Sequence, residues 1–166
     1  MIKSVKGKPL WWHAVETFEM FEARCIGVRM DDDGMDVDDL EAKILQYHPK
    51  MIYTIPTFQN PTGRSLSQPR RKRMAELASL YDVLVLEDDP YRDIRYSGKD
   101  LLPIKSFDTS DNVILCNSFS KIFSAGSRLG YIVGNDHVIE KLQSAKTATN
   151  SHTPMTQTSK MLCRTA

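Results

Sequence analysis

At 166 residues the chain has the length of one ordinary domain, which would bury about 68 to 70 % of its unfolded surface. Lysine and arginine number 22 against 21 acidic residues, a net charge of +1, so the balance marks neither a nucleic-acid surface nor a charged tail. Cys25, Cys116 and Cys163 show no C-x-x-C spacing, the four histidines have no partners at metal-ligand intervals, and no apolar run reaches the roughly 18 residues of a membrane span. These features predict reduced thiols, no metal, no membrane attachment and a cytoplasmic location.

The start carries Lys3, Lys6 and Lys8 without an apolar stretch and makes a poor signal peptide. Helical periodicity covers 11–23, followed by the strand-like run RCIGVRM (24–30) and the turn Asp31-Asp32-Asp33-Gly34. Over 37–47, Val37, Leu40, Ile44 and Tyr47 share one helical stripe, with Asp36, Asp38 and Asp39 at its positively polarised start. MIYTI (51–55) reads as a strand. A helix over 67–81 is capped by Ser67 and has Pro69 in its first turn. Its buried stripe is Met74, Leu77, Ala78 and Tyr81, and the run Arg70-Arg71-Lys72-Arg73 reads as its solvated face. The runs VLVLE (83–87), NVILCN (112–117) and RLGYIVG (128–134) read as strands, and a helix over 136–149 follows. Such alternation predicts an α/β fold with a mostly parallel sheet and helices on both faces. No internal repeat, low-complexity segment or linker interrupts it.

Three polar strings follow predicted strands. Pro56-Thr57-Phe58-Gln59-Asn60-Pro61-Thr62-Gly63 comes after MIYTI, Asp88-Asp89-Pro90-Tyr91 after VLVLE, and Ser118-Phe119-Ser120-Lys121 after NVILCN, with Gly126, Arg128 and Gly130 close behind. The carboxyl ends of strands are where open α/β sheets bind ligands, so the three strings converge on one crevice. A lysine, two hydroxyls and an arginine in one loop can hold a phosphate while the amine meets an aldehyde, which is what pyridoxal phosphate requires. An ordinary lysine amine is protonated at neutral pH, so a nucleophilic one needs burial and a neighbouring cation. Taken alone, Asn60-Pro61-Thr62-Gly63 also reads as a plain turn.

In this order the strings resemble the class I/II aminotransferases of pyridoxal-phosphate fold type I. The closest likeness is to the branch holding aminoadipate- and kynurenine-type aminotransferases and the MocR-type regulators, and it runs from about Pro9 to Thr156. The resemblance implies the central part of the large domain of that fold, with pyridoxal 5'-phosphate as cofactor. It makes Lys121 the residue that bonds the cofactor and shuttles the substrate proton. Asp88 becomes the partner of the pyridine nitrogen, while Asp89 is left a strand-end or capping role. Asn60 and Tyr91 would donate to the phenolic oxygen, and Ser118, Ser120 and Arg128 would hold the phosphate. Trp11 and Pro90 would cover the two faces of the ring. Lys8 and Leu10 depart from the acidic and small residues expected around Trp11, which an amphipathic helix would also place in the core.

The implied reaction transfers an amino group from an amino acid to a 2-oxo acid, in a homodimer when full length. Against about four hundred residues for the family, residues 1–166 correspond to a fragment of the cofactor-binding domain. The N-terminal segment and the C-terminal small domain, which carries the arginine that grips the substrate carboxylate, are missing, so this chain alone is expected to be a poor catalyst or inactive. An alternative is the cofactor-binding effector domain of a MocR-type transcription regulator, whose winged helix lies outside this segment; no nucleic acid is expected from the segment itself. Ser118-x-x-Lys121 with Ser110-Asp111-Asn112 also imitates the serine motifs of penicillin-binding proteins, but the order of the strings is wrong for them. Which amino acid is the donor is not written in this segment.

Overall fold

The computed structural model describes residues 3–7 and 12–149. In chain order they form β1 (Lys3–Gly7), α1 (Trp12–Met20), β2 (Arg24–Val28), β3 (Met30–Asp31), β4 (Gly34–Met35), α2 (Val37–Tyr47), β5 (Met51–Thr54), α3 (Gln68–Leu80), β6 (Leu84–Asp88), β7 (Val113–Ser118), β8 (Gly130–Val133) and α4 (Asp136–Thr149). Short 3-10 turns occupy Arg92–Ile94, Ile104–Phe107 and Ala125–Ser127.

Six strands make one sheet in the order β2-β1-β5-β6-β7-β8. All neighbours are parallel except β7 and β8, which run antiparallel with Ser118 opposite Gly130. The two strands β3 and β4 form a separate hairpin. Strand β1 has no counterpart among the predicted elements, yet it lies inside the sheet between β2 and β5.

Ile52, Val85 and Val113 lie side by side across β5, β6 and β7. They pack with Leu40 and Ile44 of α2 and with Met74, Leu77 and Ala78 of α3 in one continuous core. Each fully buried aliphatic side chain there is worth about 1.5–3 kcal/mol. Strand alternation turns Tyr53 and Ile114 to the opposite face. There the Phe18 ring of α1 meets Tyr53 edge-on, with centroids 5.5 Å apart, and Gly134 brings Ile139 of α4 near Ile114. Helices therefore cover both faces, as predicted.

Asp36 caps α2, its Oδ1 accepting the N–H groups of Asp38 at 3.0 Å and Asp39 at 3.1 Å. Ser67 occupies the N-cap of α3 but its hydroxyl makes no capping bond, contrary to expectation. Gly34 has φ +91°, and a Cβ there would stand 2.8 Å from Leu66 Cα. The turn predicted at 31–34, which the structure shows to join the hairpin strands β3 and β4, thus requires glycine for both conformation and space.

Arg71 corrects the sequence reading. It is not on a solvated face: it is 0 % exposed and its guanidinium spends its donors on the chain around it. Nε donates to Leu66 O at 2.8 Å, Nη2 to Pro56 O at 2.8 Å and Thr57 Oγ1 at 3.1 Å, and Nη1 to Leu102 O at 3.3 Å. Positions 71, 74, 75 and 78 follow the i, i+3, i+4, i+7 stripe, which carries Arg71 inward with Met74, Ala75 and Ala78. The neighbouring Arg70 instead grips Asp31 with both Nη atoms, at 2.6 and 2.7 Å.

Candidate active site

The loop after β5 is folded tightly on itself. Leu66 N–H donates to Pro56 O at 2.7 Å and Gln59 N–H to Arg64 O at 2.7 Å, while Phe58 N–H meets Ser65 Oγ at 3.0 Å. Gly63 takes φ +71° and the Asn60–Pro61 peptide is cis. Asn60 sits at the tip of this clamped turn, which Arg71 anchors from below. The turn reading of these residues and the site reading are therefore compatible.

The tip of β6 sends its two carboxylates apart, because adjacent strand residues face opposite sides. Asp88 Oδ2 accepts the Tyr53 hydroxyl at 2.7 Å, and among the described residues no donor meets Oδ1. Burial raises the Asp88 pKa, and the Tyr53 bond opposes that shift. Asp89 turns into the interior at 0 % exposure, and its backbone N–H donates to Cys116 O at 2.9 Å. Burial raises its pKa too, against Thr57, Arg71 and Arg92. Among the described residues no donor reaches either Asp89 oxygen at full hydrogen-bonding geometry, and Arg92 Nη1 stands 3.8 Å from Oδ2. The neighbour before them, Glu87, accepts Ile104 N–H at 2.8 Å and Lys105 N–H at 2.9 Å, and burial pushes its pKa up to about 7.

Pro90 is half-buried and begins the turn that presents Tyr91. The Tyr91 hydroxyl accepts from Asn60 Nδ2 at 3.4 Å, and Lys121 Nζ lies 5.8 Å from the centre of the Tyr91 ring. Tips of three strands thus meet through Asn60, Tyr91 and Lys121.

Past β7, Ser118 Oγ donates to Ser120 Oγ at 2.9 Å and accepts the Ser120 N–H at 3.2 Å. Phe119 N–H donates to Leu129 O at 3.0 Å, closing the turn that carries Lys121 and Arg128, both exposed. Arg128 adopts the left-handed conformation, φ 51° and ψ 34°. Gly130 is forced by contact with β7, since a Cβ there would lie 2.6 Å from Asn117 O. A Cβ at Gly126 would meet, among the described residues, only Ser124 Oγ, at 3.6 Å. Trp11 lies outside the described residues.

The donor set fits a phosphorylated aldehyde with a basic ring nitrogen. It offers an open carboxylate oxygen on Asp88, amide and phenol donors on Asn60 and Tyr91, an amine beside them, and two hydroxyls with an arginine in the β7–β8 turn. The sequence reading missed Tyr53, which lay inside the apolar run MIYTI. Its signal is positional: a hydroxyl one residue before the end of a strand that adjoins the one ending in Asp88.

The family described as aminotransferase class I and II matches residues 7–165. The chain belongs to this family. Aromatic-amino-acid aminotransferase 1 of Thermococcus litoralis is 43% identical over 143 residues, covering 83% of this chain and 34% of its own length. The uncharacterized HTH-type transcriptional regulator YisV of Bacillus subtilis is 34% identical over 143 residues, 86% of this chain and 30% of its own length. Among solved structures, the kynurenine aminotransferase of Pyrococcus horikoshii, crystallised with PMP, superposes with a TM-score of 0.88 at 40% identity, covering 92% of this chain and 39% of that one. The chain therefore spans about a third of the length of the curated relatives it matches, and its architecture is that of the fold type I aminotransferases.

Proposed function

We propose that this chain is the central part of the cofactor-binding domain of a pyridoxal 5'-phosphate-dependent aminotransferase, which moves an amino group from an amino acid to a 2-oxo acid. The observation that carries the reading is the chain of contacts Asn60–Tyr91–Lys121 across three strand tips, beside a carboxylate with one oxygen left open.

Pyridoxal phosphate, when bound, supplies an aldehyde that condenses with amines and a ring that accepts the electron pair left at the substrate α-carbon. Lys121 would be the amine that holds the cofactor and, once the substrate amine has displaced it, the base whose Nζ takes the α-proton and delivers it to the cofactor. The Asp88 carboxylate holds a proton on the ring nitrogen. Asn60 and Tyr91 donate to the phenolic oxygen and so fix the ring plane. Arg128 binds the phosphate with its planar fork, joined by the Ser118 and Ser120 hydroxyls. Pro90 would lie against the ring, and Trp11, which the resemblance pairs with it, lies outside the described residues. Asp89 serves the fold rather than the reaction, its charge turned toward Arg71 and Arg92.

Exposed apolar side chains support a reading in which more protein covers this segment. Phe123 is 78 % exposed, and Tyr131, Ile132 and Val133 of β8 are open as well. A homodimer of the full-length protein, in the cytoplasm, suits the proposal, and little turnover is expected from the 166 residues alone. Lys121→Ala in the complete protein tests the assignment: amino transfer and the visible band of the lysine-bound cofactor should both vanish. An unchanged band would contradict it.

The 34% identity to YisV favours one second reading, a cofactor-binding effector domain in a transcription regulator. A winged-helix segment encoded upstream in the same reading frame would select it over the metabolic enzyme.

A further inference from the structure

We propose that Tyr53 is a positioning residue for Asp88, fixing one carboxylate oxygen so that the other is left for the cofactor's ring nitrogen. The inference rests on the reading of Asp88 given above.

Tyr53 lies opposite Leu86 in the β5–β6 register, so its side chain shares a face with Asp88, two residues further along β6. The residue is 3 % exposed, its ring is held edge-on by Phe18 at an interplanar angle of 73°, and its hydroxyl reaches Asp88 Oδ2 at 2.7 Å. No other donor among the described residues meets this carboxylate. A carboxylate otherwise turns readily about its last torsion, where the rotamer wells are broad. One donor on a ring locked between sheet and helix removes that freedom. It also favours the charged form, because a hydrogen bond to the carboxylate offsets part of the desolvation that burial imposes on Asp88. Burial and the Asp88 charge raise the Tyr53 pKa far above neutrality, so the hydroxyl remains a donor throughout the working range. Packing alone does not require this arrangement, since phenylalanine would fill the same space.

The test is a double-mutant cycle in the complete protein, read as affinity for pyridoxal phosphate, together with a 13C titration of the Asp88 carboxyl in the cofactor-free protein. Tyr53→Phe should weaken binding about three- to tenfold, the scale of one lost hydrogen bond, and move the Asp88 titration upward. In an Asp88→Asn background the same substitution should change affinity less than twofold. Placing 3-fluorotyrosine at position 53, a more acidic and stronger donor of nearly the same shape, should shift the Asp88 titration downward and does not depend on the phenylalanine variant folding. Equal losses in both backgrounds, or an Asp88 titration indifferent to both replacements, would overturn the inference while leaving Asp88 its role. An Asp88→Asn protein that binds the cofactor as tightly as the wild type would overturn the reading of Asp88 itself, and the inference with it.

Discussion

Asn60 Nδ2 stands 3.4 Å from the Tyr91 hydroxyl, a contact that ties the clamped loop after β5 to the turn after β6. Both groups retain a donor for a shared acceptor, the amide through its second hydrogen and the phenol through its own. Asn60→Ala and Tyr91→Phe should each weaken pyridoxal phosphate binding by about 0.5–1.5 kcal/mol. The double variant should lose less than the sum, because the two donors serve one oxygen and touch each other. Absorbance titration with the cofactor measures all three.

Arg71 supports that loop from inside the fold. Arg71→Ala strips acceptors at Leu66, Pro56 and Thr57 of their buried donor and leaves Asp89 with less compensating charge. Urea unfolding should show a loss of about 3–5 kcal/mol. Arg71→Lys keeps the charge but not the fork, and should recover only part of it.

Glu87 makes stability depend on pH. Burial raises its folded value from 4.5 to about 7, so between those limits the folded state holds the extra proton. Its contribution is fully present below pH 4.5 and is lost as pH rises through about 7, by at most about 3 kcal/mol. That value already includes the N–H groups of Ile104 and Lys105, which favour the charged form and work against burial. Urea midpoints from pH 4.5 to 8 should therefore fall for the native chain relative to Glu87→Gln, which carries no titrating group there. Parallel curves would refute the assignment.

Gly34→Ala places a methyl 2.8 Å from Leu66 Cα at φ +91°. Backbone on both sides of the clash leaves little room to yield, so a loss of about 1–3 kcal/mol is expected in thermal or chemical unfolding.

Helices were legible wherever one stripe was apolar and a cap was near. The spans 37–47 and 136–149 coincide with α2 and α4, because Asp36 caps the first and Asp136 opens the second. Strand β1 was not legible: Lys3-Ser4-Val5-Lys6-Gly7 carries two lysines, and its place in the sheet is set by pairing with β2 and β5 rather than by its own pattern. Arg71 was misread because four basic residues in a row look uniformly solvated, although its spacing to Met74 and Ala78 points inward. The three motifs were legible as strings, and their placement past strand ends followed from the α/β alternation. Tyr53 was not, because its hydroxyl acts on a carboxylate 35 positions away, a relation created only when β5 and β6 pair.

Borohydride reduction of the complete protein with pyridoxal phosphate, followed by peptide mass mapping, tests the central claim most directly. The account predicts one reduced pyridoxyl adduct on Lys121, absent from Lys121→Ala. An adduct on another lysine, or one that persists in the variant, would contradict it.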